Sequence, residues 1–209
     1  MSFAEEEHLL ARNQATNQKL KDERREQILS AALLLFATKG LAATKVTDIA
    51  TATGMSQGLM YHYFRAKEEI FVELIRGAFA RLNDACRQLE EMPEPPLEKI
   101  KIAIAGLLQG ISQNADHARY HLLIAQATVS KAIPPAARTV IEQENRLPYE
   151  VLARIMRAGQ VAGTIRQHDP DELALLFWTS INGLAIYKAV HGEKFKAPDP
   201  ALLLRIFLP

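Results

Sequence analysis

Residues 56–67 bring together a set of groups that can bond to nucleic acid. Gln57 carries an amide that can pair with a base edge, most readily adenine in a bidentate geometry. Gly58 lets a backbone approach a duplex closely. Tyr61 offers a ring to a thymine methyl and a hydroxyl to a phosphate, and His62 faces outward beside it. Lys67 joins a cation to the positive N-terminal end of the helix it opens, a natural phosphate seat. No competing chemistry stands elsewhere: there is no nucleophile elbow, no phosphate-cradling Gly loop and no zinc-spaced Cys/His set. Cys86 is the only cysteine and has no base partner in the sequence, so it reads as inert. His117 and His121, four apart on a helix, have a spacing that can hold a metal. No third ligand accompanies them, and no metal is expected. Glu142, Glu144, Arg154 and Arg157 read as a solvated face.

These groups need helices to position them. From Asp22 a helix is signalled by Ile28, Ala31, Ala32, Leu35 and Phe36, one apolar stripe, with Gly40 at its C-terminal cap. Thr44 is placed to cap a short second helix whose inner face is Val46, Ile49 and Ala50. Gly54 supplies a tight turn, and Ser56 caps a third helix that buries Met60 and Phe64. Met55 completes a small core under this helix-turn-helix, leaving the outer face of the third helix free to enter a major groove. A fourth helix begins near Lys67 and runs towards Glu91, where MPEPP stops it. Helical patterns follow at about 97–113, 115–130, 135–162, 169–191 and 199–208, with Pro148 expected to kink or split the longest. No β pattern, repeat or low-complexity tract appears. The fold class is all-α, in three parts: a polar, aperiodic and flexible extension over 1–20, frayed or only partly helical, a helix-turn-helix head over 21–66, and a larger helical domain over 67–209.

The formal net charge is only +1, but its distribution is uneven. Residues 8–67 hold nine Lys/Arg against four acids, whereas residues 68–209 hold sixteen against seventeen. A basic head on a near-neutral body suits phosphate binding at one end. With one cysteine no intrachain disulfide can form, and a reducing compartment is the simplest reading. MSFAEEEHLL lacks the basic and apolar regions of a signal peptide. The apolar run 173–190 is broken by Thr179, Ser180, Asn182 and Lys188, so it reads as a buried helix rather than a membrane span. A cytoplasmic protein is expected.

The same residues resemble the tetracycline-repressor-like (TetR) family of bacterial transcription regulators. The resemblance rests on Thr44 and Val46 with Asp48-Ile49-Ala50, then Gly54, Ser56, Gly58, Met60-Tyr61, Phe64 and Lys67-Glu68-Glu69-Ile70. A first helix ending Phe36-Ala37-Thr38-Lys39-Gly40 belongs to it as well. It spans about residues 24–75, beyond which only helix order and length agree. It implies that Ser56, Gln57, Gly58 and Tyr61 sit at base edges, while Thr44, Lys45, His62, Tyr63 and Lys67 hold phosphates. Tyr63 stands where the family often has histidine, Lys45 where a second Thr is common, and Thr53 where Ala is usual. These departures bear on the operator sequence more than on DNA binding.

One head reads only a few base pairs, so two heads on a palindromic operator are expected, held by a homodimer. Helix 169–191 is apolar almost all round through Leu173, Leu175, Leu176, Phe177, Trp178, Ile181, Leu184 and Ile186, which implies burial on both sides. Ala174, Ser180, Gly183 and Ala185 allow close helix approach. With helix 199–208, too apolar to lie bare, it is the expected interface, and the resemblance implies the same two helices. His121, Gln126, Met156, Trp178 and Asn182 are candidates to line a pocket for an unidentified effector, apolar or amphipathic. No cofactor, enzymatic activity or membrane partner is expected. The alternative is a helical carrier or scaffold without specific DNA binding.

Overall fold

The computed structural model describes the backbone from Phe3 to Pro209 and side chains from Thr16 onward. Ten α-helices order the described residues: α1 (Phe3–Ala43), α2 (Val46–Thr53), α3 (Gln57–Tyr63), α4 (Lys67–Glu91), α5 (Pro96–Gln113), α6 (Ala115–Val129), α7 (Pro135–Glu144), α8 (Leu147–Val161), α9 (Pro170–His191) and α10 (Pro200–Leu204). No strand occurs among them. The chain divides into two compact units, Met1–Ile70 and Phe71–Pro209.

In the first unit α1 carries the core. Its buried stripe is Ile28, Leu29, Ala32, Leu33, Phe36 and Ala37, while Ala31 and Leu35 are half-buried. The stripe is thus turned around the helix axis, by about the angle of one residue, from where the sequence pattern placed it. Ile49 and Ala50 from α2, with Met60 and Phe64 around α3, close on it, and the Arg25 guanidinium lies 4.5 Å over the Phe64 ring. Each such large side chain contributes about 1.5–3 kcal/mol by leaving water. Val46 and Met55, expected in this core, are only half-buried. Of the extension over 1–20, residues 1–15 lie outside the described side chains. Over Thr16–Leu20 the chain is helical, and Gln18 Nε2 donates to Asp22 Oδ1 at 2.8 Å while Lys19 pairs with Glu23 at 3.9 Å, both one turn on.

In the second unit α9 lies against α8 and α6, and α5 against α8 and α10. Prolines open α5, α7, α9 and α10, where a missing N–H costs nothing. Pro148 splits the long predicted helix, falling in the first turn of α8 after a break at Asn145–Arg146. The core joins Leu108, Ile111, Leu152, Met156, Phe177, Trp178, Ile181 and Phe207. Within the single chain α9 buries one face only: Leu175, Leu176, Tyr187 and Val190 stay 48–65% exposed on the other. The last helix is shorter than the pattern suggested. It ends at Leu204, and the chain turns so that Phe207 O accepts from the Arg166 N–H at 3.0 Å while its ring packs on Phe177.

Candidate nucleic-acid interface

The turn between α2 and α3 is set by local chemistry. Gly54 takes φ 66°, the left-handed conformation that favours glycine, and its N–H with that of Met55 returns to the last carbonyls of α2. Ser56 Oγ then accepts the Leu59 N–H at 3.2 Å and starts α3. With Met60 buried on the inner side, Gln57, Gly58, Tyr61 and His62 are all exposed on the outer. Gln57 Nε2 donates to Tyr61 Oη at 3.4 Å, one turn apart, so the two side chains share a line on the helix. Tyr63 is half-buried, edge-on to His62 at 5.6 Å between ring centroids.

Gly58 is informative because nothing in the chain needs it. A Cβ there would meet no atom within 4 Å, and its φ is not positive. Glycine in the first turn of α3 still lowers helix propensity, by less than the roughly 1 kcal/mol it costs in a helix interior. The helix surface at Gly58, beside the line of Gln57 and Tyr61, is left bare.

Two residues expected at phosphates are used internally. Thr44 is fully buried and does not cap α2; its Oγ1 donates to Gly40 O at 2.8 Å, and Lys45 takes the cap position, with its N–H bonded to Asp48 Oδ2 at 3.1 Å. Lys67 Nζ donates to the carbonyls of Leu41 (2.8 Å), Ala42 (3.3 Å) and Thr44 (2.7 Å). Helix-end carbonyls lack partners within their helix and carry the negative end of its dipole, so they draw in an ammonium. Lys67 therefore staples the α1–α2 turn to the start of α4. The cation left free next to it is Arg65, whose guanidinium has no partner among the described residues. Sequence reasoning counted its charge but did not single it out, since nothing local separates it from Lys67. Lys45 is also exposed.

The candidate pocket residues are mostly packed rather than open. His121 Nδ1 lies 2.7 Å from Asn182 Oδ1, joining α6 to α9, and burial holds this imidazole below its usual pKa. Trp178 is buried with Nε1 donating to Pro148 O at 3.0 Å, and Met156 is fully buried in the same core. Gln126 is half-buried on α6. A cleft of about 640 Å³ opens instead between α4 and α7, and none of these five lines it. Their apolar surface is already consumed in packing α6, α8 and α9. Arg154, read as solvated, makes a bidentate pair with Glu90 at 2.6 and 2.9 Å, which holds that carboxyl below its usual pKa. Burial pushes the Cys86 thiol up to about 11. Among the described residues no three His, Cys, Asp or Glu side chains converge as metal ligands.

A family model for bacterial regulatory proteins of the tetR family matches residues 28–74. The HTH-type transcriptional repressor KstR2 of Rhodococcus jostii (strain RHA1) is 30% identical over 157 residues, 75% of each chain. The solved structure of the ketosteroid transcriptional regulator KstR2 of Mycobacterium tuberculosis aligns with a TM-score of 0.72 at 23% identity, covering 89% of this chain and 95% of that one. AibR, solved in complex with isovaleryl coenzyme A and operator DNA, aligns with a TM-score of 0.66 at 16% identity over 87% and 94%. The two structures share the fold; the sequence match to the Rhodococcus repressor, over a head built as above, goes further. This chain is a helix-turn-helix transcription regulator and belongs to the TetR family.

Proposed function

We propose that the chain is a homodimeric repressor that grips a palindromic operator with α3 and releases it when a small amphipathic effector binds the second unit. The observation that carries this reading is the bare surface at Gly58 beside exposed Gln57 and Tyr61, which the chain's own packing does not require. Ser56, Gln57, Gly58 and Tyr61 meet base edges; Lys45, His62, Tyr63 and Arg65 take phosphates. Thr44 and Lys67 act as positioning residues that hold α2 and the α1–α2 turn. The dimer forms on the bare face of α9, where Leu175, Leu176, Tyr187 and Val190 cluster around Gly183, joined by the C-terminal segment 199–208 with Leu202 58% exposed. AibR, with an acyl-coenzyme A and operator DNA in one crystal, supports pairing the two activities on this fold.

The mechanism has two states. Without effector the two heads fit successive half-sites; the effector binds the released state more tightly and shifts α4, so the heads no longer match. The protein needs no cofactor, catalyses no reaction and works in the cytoplasm, where its operator is. Selection of bound fragments from a random duplex pool, followed by a salt series, tests the reading. A two-fold symmetric motif and a steep fall of affinity with salt are expected. Failure to retain any duplex at low ionic strength, or sedimentation as single chains, would favour a carrier or scaffold instead.

A further inference from the structure

Arg76, Ala80, Asn83, Asp84 and Arg87 fall on one stripe of α4 and, with α7, wall the cleft of about 640 Å³. That size lies in the range of small-molecule pockets. Its polar groups are not equivalent. Arg87 is occupied by Asp84 at 2.8 Å, and the Thr139 hydroxyl by Pro135 O at 3.2 Å. Glu144 Oε2 accepts from Asn83 Nδ2 at 2.6 Å, which fixes the orientation of the Asn83 amide. Three groups are left over, one of them the exposed Gln143 amide on α7. The exposed Arg76 guanidinium has no partner among the described residues, and Asn83, 1% exposed, holds an Oδ1 that is buried without a donor. They are seven residues apart, about 10 Å along the axis at roughly 1.5 Å per residue. Between them the wall is Ala80, Ala136 and Val140.

We propose that this cleft takes an elongated amphipathic acid. Its oxyanion, a carboxylate or phosphate, pairs with Arg76; its apolar body lies over Ala80 and Val140; a hydroxyl or amide N–H at its far end donates to Asn83 Oδ1. Asp84 and Glu144 border that far end and disfavour a second anion there. The proposal names the effector class of the regulator described above and rests on that reading. Both polar anchors, Arg76 and Asn83, belong to α4, so the ligand acts on the helix whose first residue, Lys67, staples the head's turn.

Isothermal titration of the full chain with ω-hydroxydecanoate, ω-hydroxydecyl phosphate, decanoate and decanediol tests the three parts separately. At least one hydroxylated anion should saturate the protein, and which of them binds tells carboxylate from phosphate. Removing the anion (decanediol) should weaken binding about tenfold or more, and removing the hydroxyl (decanoate) about five- to tenfold. Arg76→Gln, on an exposed position, should bind ω-hydroxydecanoate and decanediol alike. Absence of saturation by either hydroxylated anion at millimolar concentration, or an undiminished preference for the anion in Arg76→Gln, overturns the assignment. Operator binding is measured on the same samples without ligand. Its absence sinks the regulator reading, whereas intact operator binding beside a failed titration sinks only the cleft.

Discussion

Lys67→Ala removes an ammonium whose three bonds, to Leu41 O at 2.8 Å, Ala42 O at 3.3 Å and Thr44 O at 2.7 Å, hold the end of α1 and the turn into α2. The bonds to Leu41 and Thr44 are part-buried, and each is worth about 1–1.5 kcal/mol net. The bond to Ala42 is exposed, so water replaces it at little loss. The variant should lose about 2–3 kcal/mol. At about 2–4 °C per kcal/mol for a chain of this size, its thermal midpoint should fall by about 4–12 °C. A phosphate-binding lysine behaves otherwise: its removal leaves stability nearly unchanged and lowers the salt slope of operator binding by about one. Urea unfolding by circular dichroism and operator affinity across a salt series separate the two. Lys67→Ala should shift the urea midpoint and keep the slope, while Arg65→Ala should keep the midpoint and lower the slope. A Lys67→Ala protein within about 0.5 kcal/mol of the parent, with its slope reduced by one, would refute the staple.

Gly58→Leu should fold at least as well as the parent, by up to about 1 kcal/mol, because its Cβ meets open space. It should nevertheless lose operator affinity about tenfold or more in a gel-shift titration, a steric effect of order 1.4 kcal/mol at the groove. Gln57→Ala should relax preference at a single base position, worth about 1–3 kcal/mol in a competition assay over mutated operators. Tyr187→Glu places a charge on the bare face of α9, 54% exposed in the single chain, and should cost the dimer about 2 kcal/mol or more in sedimentation. Burial, partly offset by the bond to Asn182, keeps the pKa of His121 below the unfolded value of 6.5, so the unfolded chain binds the proton first on acidification. Stability from the neutral ring is complete above about pH 6.5 and declines below it. Melting scans between about pH 7 and pH 5 should show that decline, and His121→Gln should flatten it.

What could be read without coordinates was what short-range chemistry decides. Ser56 caps α3 through an N–H three residues away, Gly54 turns the chain through its own φ, and prolines open helices through their own rings. Periodicity likewise located Ile49, Met60 and Phe64 in the core, because a helix repeats its faces every few residues. What the tertiary structure alone decided involves partners distant in sequence. Lys67 and Arg65 are both cations past the end of α3, and only the approach of carbonyls 23–26 residues earlier turns one inward and leaves the other free. His121 and Asn182, 61 residues apart, meet because α6 packs on α9. Asn83 meets Glu144 across the same interval, and a cleft lies between their helices. A side chain's type limits which bonds it can make; which partner it finds is settled by helix packing, which no local pattern records.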